Sequence, residues 1–383
     1  MRAPDGATIV SMPLSTRSAM VLPMPGLPRR RLLAAALALP LLPTGAGALK
    51  PQRLQFPRDL GSHPDFRTEW WYITGAVAGG TPARDFGFQL TFFRSRVAAT
   101  QGMTSAFAAK QLMFAHAAVT DVIGKKLWHD QRLARAGFGV AQASDSDTDI
   151  RLRDWSLRRG SNGAYQAQAA GADFDFKLTL TETQPLLLQG DRGLSRKGPE
   201  AKQASFYYSL PQLRTTGTLR LGGKPLEVQG KAWLDHEWSD ELLHPQAVGW
   251  DWIGMNLADG SALTAFQLRT KAGAALWDGG SFRHPVIGLD QPPHVFSPGE
   301  VVFRAVRYWV SPLTGARYPV EWLVRTPADI YTVRAIVDNQ ELDSRASTGT
   351  VYWEGLSELI DSNGRPVGRG YLEMTGYTGR LQL

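Results

Sequence analysis

The sequence predicts an all-β protein built from many short antiparallel strands, as in a barrel or a sandwich. Three observations carry this. Runs of period two dominate: Phe86, Phe88, Leu90 and Phe92 alternate with Gly87, Gln89, Thr91 and Phe93, and Phe174, Phe176, Leu178 and Leu180 alternate with Asp175, Lys177, Thr179 and Thr181. Turn residues separate such runs, within a total of 39 Gly and 24 Pro. Twelve Trp add a strand-favouring aromatic content.

The elements follow in order. Residues 1–48 predict a targeting segment. Arg29-Arg30-Arg31 precedes an apolar run from Leu32 to Leu42, and Ala46-Gly47-Ala48 supplies a small-x-small cleavage site. Eleven residues of helix span about 16 Å, too short for a bilayer core. The stretch from Pro28 to Leu33 matches a twin-arginine signal, with a general secretory signal as the alternative. Export to the periplasm or beyond is therefore expected.

Residues 49–62 predict an extended entry. Leu219 and Leu221, then Gly222-Gly223, then Leu226 and Val228 predict a hairpin. Asp259-Gly260 predicts a second between 250–257 and 263–268, and Asn363-Gly364 a third. The one helical candidate is Ala-rich Val97 to Phe114. About 330 residues are long for one such domain, so two are expected, 49–229 and 230–383, joined near Gly230.

Composition excludes several classes. Without Cys there is no disulfide scaffold, Cys nucleophile or thiolate metal site. The net charge is +7, but residues 1–48 hold five Arg against one Asp, so four of the seven charges belong to the leader. A nucleic-acid partner is not expected. No Gly-x-Ser-x-Gly, P-loop or dinucleotide fingerprint occurs. No cofactor is expected. Asp235, His236 and Glu237 are ligand types, but adjacent strand residues diverge, so no metal is expected either.

Chemistry concentrates in Trp233-Leu234-Asp235-His236-Glu237-Trp238. On a strand, Asp235 and Glu237 share one face, and His236 and Trp238 the other. An imidazole beside a large apolar plate suits protonation or orientation of an apolar ligand, against the plainer reading of a structural histidine. In Trp250-Asp251-Trp252, both Trp point one way and Asp251 the other. Inside an apolar barrel, Asp251 would have a raised pKa and could donate a proton near neutrality; the alternative is a solvent-facing or salt-bridged acid. Glu69 and Trp71 share one face, Trp70 and Tyr72 the other. His116 follows Leu112 and Phe114 at period two, as a buried structural histidine would.

These motifs together resemble a known family. His63 to Tyr72, Thr91 to Arg94, Ala115 to Ala117, Ala232 to Trp238, Gly249 to Trp252, Phe266 to Arg269, Ser311-Pro312, Tyr318-Pro319, Tyr352 to Gly355 and Gly370 to Tyr377 look like motifs of the AttH proteins and carotenoid 1,2-hydratases (hydroxyneurosporene synthases), also labelled secreted hydrolases. The match covers roughly residues 60 to 380. It implies two lipocalin-like antiparallel β-barrels in tandem, holding an apolar molecule such as a carotenoid, isoprenoid or lipid. In the hydratase branch, water adds across a carbon–carbon double bond. The resemblance places that chemistry in the motifs of Asp251 (proton donor), Trp238 (cation-facing plate) and His236 (base, or orienter of water). Glu69, Trp71, Tyr72, His116, Trp250, Trp252 and Trp353 are the matching candidates for substrate contact. The other readings are a non-catalytic periplasmic binder serving an export permease of the ABC class, and a hydrolase using Glu, His and water.

Overall fold

A computed structural model describes residues 49–223, 225–241, 243–285 and 291–380. The expected signal segment, residues 1–48, lies outside them.

Two antiparallel sheets account for the fold. The first holds β1 (Thr68–Gly79), β2 (Arg84–Arg96), β3 (Gln111–Asp121), β4 (Lys126–Arg135), β5 (Ala141–Ala143), β6 (Asp149–Leu152), β7 (Trp155–Arg159), β8 (Tyr165–Ala170), β9 (Phe174–Thr181), β10 (Leu187–Leu188), β11 (Leu194–Arg196), β12 (Ala204–Leu221) and β13 (Leu226–Glu241). Its order is β4-β3-β2-β1-β13-β12-β9-β8-β7-β6-β5, with β10 and β11 also on β12. The outer strands curl back toward each other. Arg132 on β4 donates to the carbonyl of Ala170 and lies over the ring of Trp155, so the barrel is nearly closed.

The second sheet holds β14 (Gly249–Leu257), β15 (Ala262–Arg269), β16 (Ala275–Arg283), β17 (His294–Phe296), β18 (Val302–Val310), β19 (Arg317–Arg325), β20 (Ile330–Ala335), β21 (Glu341–Asp343), β22 (Val351–Ile360) and β23 (Pro366–Met374). The order β17-β16-β15-β14-β23-β22-β20-β19-β18 makes a half-barrel. The all-β expectation and its three hairpins hold: Leu219 pairs with Leu226, Asn256 with Ala262, and Ile360 with Pro366.

Two expectations need correction. Gly230 is no boundary. It lies inside β13, where a Cβ would come within 2.0 Å of the Ala76 carbonyl, so glycine permits the close strand approach. The chain changes sheets between Glu241 and Gly249. The Val97 to Phe114 helix is also absent. Only Ala98–Thr100 makes a 3-10 turn, and β3 starts at Gln111, because no apolar stripe gave a helix anything to bury.

Among the described residues, period two divides most buried side chains among three main cores, with a small fourth cluster at Ala118, Leu342 and Tyr352. One fills the first barrel, with Trp71, Leu234 and Trp238. A second fills the half-barrel, with Ile253, Trp353 and Leu372. A third lies between the sheets, where Tyr72, Trp233, Trp252, Phe266 and Tyr371 meet. Gln212 helps clasp the sheets. It sits at a bulge in β12 with φ +56°, and its side-chain amide donates to the carbonyls of Leu257 and Ser261.

Candidate functional site between the sheets

The functional candidate is the cavity in the third core. It is walled by Trp70, Tyr72, Tyr207, Trp250, Trp252 and Phe266, and its volume is about 80 Å³. That holds roughly five waters and is small beside the roughly 300–1,000 Å³ of a drug-sized site. It suits the end of an apolar molecule rather than the whole of a long one. Trp70, Phe93, Trp250 and Glu373 are only partly buried and mark its rim.

Four carboxyl groups face this apolar space: Asp235 and Glu237 from β13, Glu354 from β22 and Glu373 from β23. Burial pushes Asp235 up to about 7, against hydrogen bonds from Ser209, Trp233 and Tyr207 that favour its ionised form. The Tyr207 hydroxyl donates to Asp235 Oδ2 at 2.8 Å, and Trp233 Nε1 donates to Oδ1 at 2.7 Å. Burial also pushes Glu373 up to about 7; the Trp250 side chain opposes this, and the charges of Asp235 and Glu237 add to it. Burial, reinforced by Glu373, holds Glu354 well above the usual carboxylate range. Gln89 Nε2 donates to Glu354 Oε2 at 2.5 Å. Glu354 Oε1 and the nearby Tyr72 hydroxyl are buried at the cavity without a hydrogen bond of ordinary geometry. Glu237 is paired with Lys197 at 3.0 Å, and the Lys197 ammonium lies 4.5 Å from the Phe266 ring centre. The site therefore combines carboxyls of raised pKa, one ion pair and aromatic faces, a set able to move protons onto and off an apolar guest.

The candidates read from the sequence divide among several places. Tyr72, Trp250 and Trp252 line the cavity. His236, Trp238, Glu69 and Trp71 point the other way, into the first barrel. There His236 Nε2 lies 2.9 Å from Glu69 Oε1, and its Nδ1 lies 2.9 Å from the Tyr208 hydroxyl. His63 Nδ1 reaches the same Glu69 oxygen at 2.8 Å. Arg94 Nε donates to Glu69 Oε2 at 2.7 Å. Trp71 stacks on His236, and Trp238 on His63. Burial raises Glu69 but is outweighed by its hydrogen bonds to His236 and His63, by the charge His236 acquires in acid and by the charge of Arg94, so the carboxyl falls far below its ordinary value. Burial lowers His236 to about 4, with Glu69 opposing, and it is neutral at pH 7. His63, Glu69 and His236 could bring ligand atoms within 4.8 Å of one another. They do not fit a cation, because Arg94 already neutralises Glu69 and both rings spend their nitrogens on neighbours.

Asp251 lies elsewhere again, inside the half-barrel. Arg269 Nε pairs with it at 2.7 Å, Gln267 Nε2 donates at 2.7 Å, and the Tyr377 hydroxyl donates at 2.9 Å. Burial raises its pKa against those partners. His236, Trp238 and Asp251 thus do not converge, because period two turns each away from the cavity between the sheets. His116 is buried between the Tyr352 hydroxyl and Ser347, 2.8 Å from each; burial lowers it to about 3. Trp353 belongs to the half-barrel core, its Nε1 donating to the Asp338 carbonyl.

In the sequence Asp235 and Glu237 stand out only as metal-ligand types on one strand face, and Glu354, Glu373, Tyr207 and Lys197 carry no individual signal. One signal was present: Asp235 and Glu237 share a strand face with the large apolar Trp233. Which way that face points was not readable from one strand.

Comparisons agree with this architecture. The AttH-like family model matches residues 47–377. A candidate AttH from Nitrosomonas europaea is 45% identical; the match covers 86% of this chain and 99% of that one, with a TM-score of 0.80. Kievitone hydratase from Nectria haematococca has a similar fold at 14% identity, covering 85% and 94%, with a TM-score of 0.66. The search of curated proteins found no match. With a family model matched over nearly all of its two-sheet body, this chain belongs to the AttH-like family.

Proposed function

We infer that the chain is a hydro-lyase that adds water across a carbon–carbon double bond of an apolar molecule in the cavity between its sheets. One observation carries this reading: three carboxyl groups of raised pKa, Asp235, Glu354 and Glu373, face one aromatic-walled space. An isolated alkene needs a strong proton donor, shelter for a carbocation, and a water. Glu373, at the rim and close to half protonated at pH 7, gives its proton to one alkene carbon. The positive charge on the other carbon faces the rings of Tyr72, Trp252 and Phe266. Water bonds to that carbon, and its surplus proton passes to the ionised Asp235. Proton exchange with solvent resets the pair.

The cavity volume supports binding of a terminal unit, with the rest of the guest leaving past Trp70 and Trp250. An acyclic carotenoid or another acyclic isoprenoid is the substrate class put forward. The likeness to a hydratase fold supports the reaction class. The leader motif supports a periplasmic location, where N-terminal sequencing of the mature chain tests cleavage after Ala48.

The test is incubation of purified protein with acyclic carotenoids and shorter acyclic terpenoids, followed by mass spectrometry. A product one water heavier, lost in Glu373→Gln and in Asp235→Asn, supports the reading. Retention of the guest without turnover overturns it in favour of a carrier, the role that would serve an ABC-type permease.

A further inference from the structure

One surface of the first barrel is costly for a soluble protein. Phe107 and Phe138 are 76% and 60% exposed, and Met103, Leu133 and Val140 near them are also exposed. The two Phe rings stack, with centres 5.7 Å apart. Arg135 lies over both, at 5.7 Å from Phe107 and 4.0 Å from Phe138. Phe138 is held out by its backbone. It has φ +56° between Gly137 and Gly139, both also at positive φ. A bulky residue seldom adopts that conformation, and strain of this kind concentrates where function needs it.

The surroundings are basic. Arg151 donates to the Gly139 carbonyl, the Arg153 amide donates to the Val140 carbonyl, and Lys110 lies three residues after Phe107; all three side chains are exposed, with Asp154 beside Arg153. Apolar tips ringed by Arg and Lys match an interface of acyl chains and anionic headgroups.

The sheet also connects this surface to the cavity. Trp70 pairs with Phe93, Phe93 with Phe114, and Phe114 with Leu133. Directly paired residues share a face, so these four form one apolar row across β1 to β4. It runs from the rim to Leu133, two residues from Arg135.

We propose that the Phe107–Phe138–Arg135 surface docks on an anionic lipid bilayer, and that the row Leu133, Phe114, Phe93, Trp70 carries an apolar molecule from the bilayer to the cavity. The second clause rests on the cavity being the binding site; the docking does not.

The test is co-sedimentation of the full chain with vesicles of phosphatidylcholine alone and of phosphatidylcholine mixed with phosphatidylglycerol. The mixed vesicles bind at least tenfold more tightly, and added salt weakens them. Phe107→Ser combined with Phe138→Asn removes at least tenfold of that affinity, with circular dichroism and turnover of detergent-dispersed substrate unchanged. Because the leader is common to both chains, hydrogen exchange supplies a local readout. Residues 103–110 and 136–140 gain protection on mixed vesicles in the unsubstituted chain only. Equal binding to both vesicle types, binding indifferent to the two substitutions, or no protection of these loops overturns the docking. So does a dimer that the substitutions dissolve while vesicles remain unbound.

Discussion

Asp235 and His236 are neighbours in the chain, yet they serve different cores. Asp235 faces the cavity between the sheets with a pKa near 7, while His236 faces the first barrel, neutral and bonded to Glu69. The same alternation separates Asp251 from Trp250 and Trp252. Which side of a strand a side chain takes therefore decides which core it serves.

Turnover should have a bell-shaped pH profile centred near 7. The proposed cycle needs one proton shared by Glu373 and Asp235, both raised to about 7. Because the two carboxyls interact, the limbs belong to the pair. Glu373→Gln should abolish turnover while leaving ligand affinity within a few-fold. Steady-state rates between pH 5 and 9 are the measurement.

Asp235 should also make stability depend on pH. Its folded pKa lies above the ordinary 3.8. The folded state therefore holds this proton more tightly, and the contribution is fully present below 3.8. It is lost as pH rises through about 7. Asp235→Asn should flatten this part of the curve of melting temperature against pH.

Glu69→Gln should be a stability variant. It removes the ionised partner of Arg94 and a hydrogen-bond partner of His63 and His236. Breaking such a buried pair costs about 3–5 kcal/mol. Here the sign reverses: Glu69 titrates in the folded state far below its ordinary 4.5, so its stabilisation is present above that value and is lost as pH falls. Urea unfolding at pH 7 and pH 4 checks both statements.

Asp251→Asn should leave turnover within a few-fold and lower stability by about 3–5 kcal/mol, because it strands Arg269 in the half-barrel core. A loss of turnover in a variant whose stability is unchanged would refute the placement of chemistry between the sheets.

Trp252→Ala should weaken ligand binding at least tenfold, about 1.4 kcal/mol, because the ring forms a cavity wall against Tyr72 and Trp233. Its Nε1 also donates to the Tyr207 hydroxyl, which donates to Asp235, so the pH profile of the carboxyl pair should shift with it. Isothermal titration with a non-reacting analogue reads the affinity.

Much of the fold was legible in the chain. Period-two runs and Gly turns are local, and they gave several strands and three hairpins directly. Strand geometry alone puts Asp235 and Glu237 on one face and His236 and Trp238 on the other. Local patterning could not reveal that β13 stays with the first sheet, because nothing between Gln229 and Lys231 distinguishes strand interior from a join. Nor could it reveal the cavity, whose carboxyls come from positions 235, 237, 354 and 373.

By itself the sequence determined the all-β class, several strands with their faces and the family: the first two depend on neighbours a few residues away, and the family on motifs in order along the chain. Only the tertiary structure decided which face met which. Asp235 and Glu373 became candidate acids, and Asp251 a partner of Arg269, when the two sheets packed and water was excluded between some faces and not others. Desolvation sets those pKa values, and the cavity that buries Asp235 draws on β12 and β14 as well as on β1, β22 and β23, so no short segment carries that information.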